Sequence, residues 1–208
     1  MRRIKSIYCR CRLPGIAVII AMLTLFGTLF ALEEQPFDAW SEFSTKKECK
    51  QLMGWLRQQA GERLTGATLS TYPEIQTPPF FGSLGIFITL KKGKKVRGCY
   101  GAFSHSSVKI CELLSDYLAG ALARDPRYPP LDVAELPDTD IILTLASMPS
   151  PVSDLCAVDL HQSGILMLCD GDENAVFVPA EIRTVSYIER FMKGRTCQIS
   201  AFRTITIR

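Results

Sequence analysis

The residues best equipped for chemistry stand together in "KKVRGCYGAF", Lys94 to Phe103: a thiol at Cys99, a guanidinium at Arg97, and glycines at Gly98 and Gly101. A thiol becomes a nucleophile as its thiolate, and a nearby cation favours that charged form. In a strand, alternation places Arg97 and Cys99 on one face, where the guanidinium would lower the thiol pKa. Gly98 and Gly101 leave the backbone bare on either side. That bareness suits a ligand approaching main-chain N–H donors, and it equally suits a bulge or a helix packed close. Cys99 therefore reads as a reactive thiol, a structural thiol or a disulfide partner. His105, near the start of the next helix, is the nearby candidate for a general base, with a solvated loop histidine as the alternative. Arg124, Asp125 and Arg127 in "RDPRYPPL" either bind an anionic ligand or pair among themselves to hold a turn.

Other chemistries find less support. The acidic turn Asp170, Asp172, Glu173 resembles part of a calcium loop but lacks the downstream glutamate, so a hairpin turn is expected and no metal site. There is no GxGxxG, P-loop, HExxH or CxxC pattern, and no cofactor is implied. The net charge of +3 is misleading. Arg2, Arg3, Lys5, Arg10 and Arg12 all fall in the first 31 residues, which hold no acid, and the remainder carries a slight acidic excess. That balance argues against a nucleic-acid partner, because phosphate neutralisation by Lys and Arg supplies most non-specific affinity.

Those basic residues precede "LPGIAVIIAMLTLFGTLFA", residues 13–31, an apolar run without ionisable side chains and about long enough to span a bilayer. The pattern reads as a secretory signal or a retained signal-anchor, leaving the globular part outside the cytoplasm or tethered to a membrane. A cut after Ala31 would leave Leu29 where signal peptidase prefers a small residue, so both outcomes stay open. The organisation is then a leader at 1–31, a linker at 32–44 and one domain at 45–208. The cysteines beyond the leader are Cys49, Cys99, Cys111, Cys156, Cys169 and Cys197. An oxidising compartment permits disulfides, but no pair has the spacing of a disulfide-rich miniprotein, and most are expected to pack as small apolar residues.

The elements that position these groups follow from periodicity. "STKKECKQLMGWLRQQAG" predicts an amphipathic helix with Thr45 and Glu48 as a capping box, Cys49, Leu52, Met53, Leu56 and Ala60 on its inner face, and a stop at Gly61. "SLGIFITL", "KKGKK" and "VRGCYGAF" form a hairpin turning at Gly93. "VKICELLSDYLAGALA" is an apolar helix using Val108, Cys111, Leu114, Leu118 and Leu122, with Ser106 and Ser107 as cap candidates and Pro126 ending it. "TDIILTLASMP" is a buried strand, "GILMLCDGDENAVFVP" a second hairpin, "TVSYIERFMKG" a short helix capped by Thr184, and "CQISAFRTITIR" a last strand. Helix, hairpin, helix, strand, hairpin, helix, strand is an α+β order with a largely antiparallel sheet and packed helices.

Four ordered blocks, "VRGCYGAF", "RDPRYPPL", "TDIILTLASMPSPV" and "GILMLCDGDENAVFVPAEI", resemble the AMMECR domain, also called AmmeMemoRadiSam system protein A. The likeness runs from about Thr45 to Tyr187. That family typically shows Leu-Arg-Gly-Cys-Ile-Gly-Thr-Phe at the first block and Arg-Asp-Pro-Arg-Phe-Pro-Pro-Leu at the second. The resemblance implies an α+β fold with two unequal subdomains and an unsettled reaction, sometimes guessed as RNA modification. It also implies, for some prokaryotic members, a radical-SAM enzyme and a Memo-type protein as companions. The family motif falls on Arg97, Gly98, Cys99, Gly101 and Phe103; Val96, Tyr100 and Ala102 depart from it. The segment after Val178 is shorter than in typical members, which also lack an export leader. Two functions follow: an enzyme or carrier whose Cys99 thiolate attacks or holds a small substrate, and a non-catalytic module at the cell envelope that receives a small ligand or a protein segment.

Overall fold

Gly93, with a φ of 58° that L side chains rarely adopt, turns the chain between β1 (Gly85–Lys92) and β2 (Lys95–Ala102). The computed structural model in which this hairpin sits describes residues 36–170, 174–182 and 184–208. The apolar leader at 13–31 and residues 171–173 of the acidic turn lie outside the described residues. Among those described, no helix is long and apolar enough to cross a membrane.

Strands β3 (Thr139–Ala146), β4 (Ser150–Pro151), β5 (Ser163–Cys169), β6 (Ala175–Phe177) and β7 (Cys197–Ile207) complete an antiparallel sheet. The order is β2-β1-β3-β7-β5-β6, with β4 on β7. The long β7 bridges the sheet's halves, its first part pairing with β5 and its end with β3. Helices α2 (Lys47–Thr65) and α3 (Ile110–Ala123) pack on one face of the hairpin half, and α4 (Val185–Met192) belongs to the other half. The expected α+β order is therefore present, with β4 and two short 3₁₀ turns, Val133–Asp138 and Leu155–Ala157, as additions.

Several local expectations change. Residues 36–43, read as linker, form a helix (α1) whose Phe37, Trp40 and Phe43 are buried in the main core. Thr45 does not cap α2: its hydroxyl donates to the Glu42 carbonyl at 2.8 Å, because the chain is already turning out of α1. Helix α2 runs through Gly61 to Thr65 and ends at Gly66, which takes the left-handed conformation and returns its N–H to the last turn. Its inner face is wider than expected, adding Trp55 and Gln59 to Cys49, Leu52, Leu56 and Ala60. Helix α3 starts only at Ile110, so Val108 stays outside it and 66% exposed. Ser107 accepts the Lys109 N–H at 3.1 Å without capping the helix. Thr184 occupies the N-cap of α4, and its side chain makes no capping bond.

Apolar residues gather in three clusters. The largest lies between α1, α2, α3 and the inward residues Ile86, Ile88 and Leu90 of β1. A second lies under α4, around Ile165, Met167, Phe177 and Ile188. A third joins the halves on the opposite face of β1 through Phe87, Ile142, Val178 and Phe202, with Cys99 packed against it.

Close approach of α3 to β2 is what places the later site. A Cβ built on Gly98 would stand 2.0 Å from the Ala121 carbonyl oxygen, and one on Gly120 would stand 2.3 Å from the Tyr100 ring. Bare backbone at Gly98 lets the strand meet the helix backbone directly, and bare backbone at Gly120 makes room for the Tyr100 ring. Gly98→Ala is expected to cost about 1–3 kcal/mol or more, because its methyl meets backbone that cannot move aside. Gly61→Ala, whose Cβ would have Leu136 at an ordinary 3.7 Å inside a helix, is expected to be neutral or to stabilise by up to about 1 kcal/mol. Denaturant midpoints of the two variants check the contrast, and equal midpoints would contradict it.

Candidate functional site

Cys99 lies on β2, an edge strand of the sheet, opposite Thr89 of β1. The Thr89 hydroxyl donates to its Sγ at 3.3 Å. The Cys99 N–H donates instead to Asp125 Oδ2 at 2.8 Å. Asp125 stands just past α3, where Pro126 prevents another helical turn, and its side chain is only 3% exposed. The same carboxylate accepts the Arg127 N–H at 3.1 Å and a fork of two bonds, from Nε and Nη2, at 2.9 Å each. Arg127 Nη2 also lies 3.0 Å from Oε1 of Glu181, a carboxylate 5% exposed. Glu181 belongs to the turn after β6, which is seated by the buried Lys91, whose Nζ donates to the Ala180 carbonyl at 2.9 Å.

One guanidinium thus stands between two buried carboxylates, and the electrostatics follow. Burial pushes the Cys99 thiol well up, and the Glu181 charge adds to it; the Thr89 hydroxyl and Arg127 oppose this more weakly. Burial also pushes Asp125 up, but its bonds from Arg127 and the Cys99 N–H outweigh that and hold it below the usual carboxylate range. For Glu181 burial wins over Arg127 and the pKa is raised. Arg127 stays charged, because the two carboxylates outweigh the burial that disfavours its cation. Its side chain remains 44% exposed, so the guanidinium still faces solvent.

That open side of Arg127 borders a cavity of about 460 Å³. Cys99, Gly101 and the Asp125–Arg127 segment form its inner wall, and Ala175 to Phe177 of β6 with Tyr187 and Phe191 of α4 form its outer wall. Phe177 meets Tyr187 and Phe191 edge to face, at centroid separations of 5.7 and 5.4 Å. The arrangement offers a largely apolar cavity, lined in part by aromatic rings, with a thiol and a guanidinium at one side. It can receive a small planar molecule and hydrogen-bond a polar group on it.

The structure brings together Cys99, Gly101, Asp125 and Arg127, and separates the other candidates from them. The register of β2 slips at Leu90 and Lys91, with Gly98 opposite Leu90 and Val96 opposite Lys91, so Arg97 is the extra residue of a β-bulge. The alternation that would set Arg97 beside Cys99 fails there. Arg97 instead makes a two-bond fork with Glu135, Nε to Oε1 at 2.9 Å and Nη2 to Oε2 at 2.7 Å. Glu135 is itself part of a capping box with Asp132 in the first 3₁₀ turn. The cation near the thiol is Arg127. His105 has both ring nitrogens committed, one to the Tyr117 hydroxyl at 2.9 Å and one to the Leu84 carbonyl at 2.7 Å. It packs with Phe80 and Tyr117, members of the helix-side core, across the sheet from Cys99. Gly98 serves the helix contact and Arg124 the surface, bonded to Asp116 at 2.7 Å and lying over the Tyr100 ring.

Sequence reasoning missed Thr89, Lys91 and Glu181. A lysine continuing an apolar strand at Lys91 is one available signal; nothing in "FVPAEI" marks Glu181 as buried. Cys49 and Cys111 pack in the core as expected and Cys156 is exposed, whereas Cys169 and Cys197 form a disulfide. Their pairing depends on the β5–β7 register, which joins residues far apart in the chain. Among the described residues, no group of three His, Cys, Asp or Glu side chains is placed to hold a metal.

The family model described as AMMECR1 matches residues 46–198. A curated protein of Thermotoga maritima is 28% identical over 110 residues, covering 52% of this chain and 62% of its own length. One of Methanococcoides burtonii is 37% identical over 82 residues, 39% of this chain and 40% of its own. The chain therefore spans less than two thirds of these relatives. The crystal structure of an uncharacterized protein from Pyrococcus horikoshii superposes with a TM-score of 0.57 at 16% identity, covering 74% of this chain and 88% of the other, a likeness of fold.

The Arg97–Glu135 fork gives a pH signature. Its bonds, from Arg97 first and then the Asp132 N–H, lower the Glu135 pKa from the ordinary 4.5 to about 2. A carboxyl depressed on folding adds stability above its unfolded pKa and loses it as pH falls through the folded one. The wild type is therefore expected to lose stability between pH 4.5 and 2, and Glu135→Gln to show a shallower decline over that window. Thermal unfolding across pH 2–6 reads the difference, and parallel curves would contradict it.

Proposed function

The chain belongs to the AMMECR1 family, and on that premise we propose that its domain binds a small, flat, largely apolar molecule in the cavity beside Cys99, with Arg127 holding a polar group of the ligand. The observation that carries this reading is the half-exposed Arg127, oriented by two buried carboxylates at the edge of a cavity walled by Phe177, Tyr187 and Phe191. Two held carboxylates keep the guanidinium in one geometry before a ligand arrives, which lowers the ordering cost of binding. In this reading Cys99 rests as a neutral thiol and contributes shape and a weak donor.

The enzyme or carrier reading, with Cys99 as nucleophile, needs a ligand that removes the burial and carboxylate effects raising the thiol. Its support is positional: the thiol borders the cavity and Arg127 faces it. We further propose that the domain works outside the cytoplasm, released or anchored through residues 13–31. The charged leader followed by an uncharged apolar run supports this, as does the Cys169–Cys197 disulfide, a bond that persists in oxidising compartments.

Two measurements on one preparation test the reading. Ligand-observed NMR with benzamide and benzoate as probes is expected to give saturation transfer with the wild type and with Cys99→Ser. The signal should vanish with Ala175→Trp, which fills the cavity from its outer wall. Signal that survives Ala175→Trp, or none with the wild type, would sink the binding proposal. Alkylation by iodoacetamide at pH 7 should run at least about tenfold slower at Cys99 than at exposed Cys156, each unit of raised pKa removing about nine tenths of the thiolate. Faster reaction at Cys99 would favour the nucleophile instead.

A further inference from the structure

Besides the contacts of Lys91 with the Ala180 carbonyl and Arg127 with Glu181, and the packing of Val185, Phe191 and Met192 on the cluster under α4, the cavity's outer wall has few attachments. Strand β6 joins β5 through the register pairs Ile165 with Phe177, Leu166 with Val176 and Met167 with Ala175, and lies at the edge of the sheet. Helix α4 has eight residues, buries only Ile188 and has no side-chain cap at its start. Helices this short do not hold together without packing or a tether. Both elements fall between Cys169, the last residue of β5, and Cys197, the first of β7, as does Glu181. These two cysteines are direct partners across the strands, with Cα atoms 4.0 Å apart, and their bond closes the chain over a separation of 28 residues.

We propose that the Cys169–Cys197 disulfide is a redox-operated clasp, which when closed holds the β6–α4 wall against Cys99 and when reduced by a dithiol frees that wall and exposes the thiol. A crosslink restricts the opened states of the chain it spans, so cutting it favours those states. Cys197 is the more accessible partner, Cys169 being buried. One reductant thiolate attacks a sulfur of the pair, forming a mixed disulfide as the Cys169–Cys197 bond breaks and the released thiolate takes up a proton. The reductant's second thiol then displaces the protein sulfur. Cys169 and Cys197 end as thiols, having gained two electrons and two protons, and the dithiol ends as a disulfide. The device uses the cavity of the proposed function but not its ligand.

The remaining cysteines supply internal controls. The full chain is prepared oxidised, or reduced with dithiothreitol and desalted, then pulsed with N-ethylmaleimide and read peptide by peptide in a mass spectrometer. Reduction is expected to speed labelling of Cys99 by about tenfold or more, with exposed Cys156 unchanged and the core residues Cys49 and Cys111 still protected. The double variant Cys169→Ser, Cys197→Ser should reproduce the reduced pattern; if it does not fold, reduction of the wild type alone decides. An unchanged Cys99 rate overturns the clasp. So does a rise shared by Cys49 and Cys111, which would mean general loosening. A failed probe-binding experiment would remove the ligand reading while leaving this result intact.

Discussion

Asp125 accepts the outward N–H of Cys99 while gripping Arg127 with a two-bond fork, and this buried carboxylate joins sheet edge, loop and charge cluster at one point. An edge strand leaves alternate N–H groups without partners, and such groups either meet water, another chain or a side chain. Here the side chain comes from the loop that ends α3, so the position of the helix decides where the strand's open edge is closed. A buried carboxylate without partners would be costly, and Asp125 is tolerated because its oxygens take bonds from two residues. Without it the Cys99 N–H would be orphaned and Arg127 would keep Glu181 as its one carboxylate partner of the two, held by a single contact rather than a fork.

The same geometry explains why proximity to an arginine does not make Cys99 a thiolate. A lone guanidinium beside a thiol favours the anion, but Arg127 is shared by Asp125 and Glu181, whose charges act on the thiol with the opposite sign. Burial does most to raise the thiol, and the Glu181 charge adds to it by more than Arg127 takes away. Arg97 cannot redress the balance, being turned toward Glu135 by the bulge. The arrangement stabilises a fixed cation at a cavity rim more than it activates a nucleophile.

Much of the fold was legible because hydrophobic period and glycine placement are local signals. The element order, the Gly93 turn and the end of α3 before Pro126 all followed from them. What was not legible is non-local. The bulge at Arg97 depends on how β2 registers against β1, and a slip of one residue moves a side chain off the expected face. The Cys169–Cys197 pair depends on the register of β5 against β7. Glu181 reads as an ordinary surface residue until Arg127, distant in sequence, covers it. The helix starts at Thr45 and Ser107 differ for a related reason. Short polar side chains beside a helix start have other partners close by, and competition between them is settled by the path of the preceding chain.

The residues of "VRGCYGAF" are therefore tied together by packing before any chemistry is asked of them. Arg97 fastens the strand to the first 3₁₀ turn, which Arg57 in turn ties to α2 by donating to the Leu136 carbonyl at 2.6 Å. Gly98 admits the backbone of α3, and Tyr100 lies against Gly120 of the same helix. That contact fixes the end of α3, hence Asp125, hence the N–H of Cys99 and the fork on Arg127. Within a motif that looks like a reactive cysteine with helpers, Arg97, Gly98 and Tyr100 set a helix at a fixed distance from an edge strand. The cavity wall and its held guanidinium are the consequence of that distance, and Cys99 is the point where the structural and chemical demands on the segment coincide.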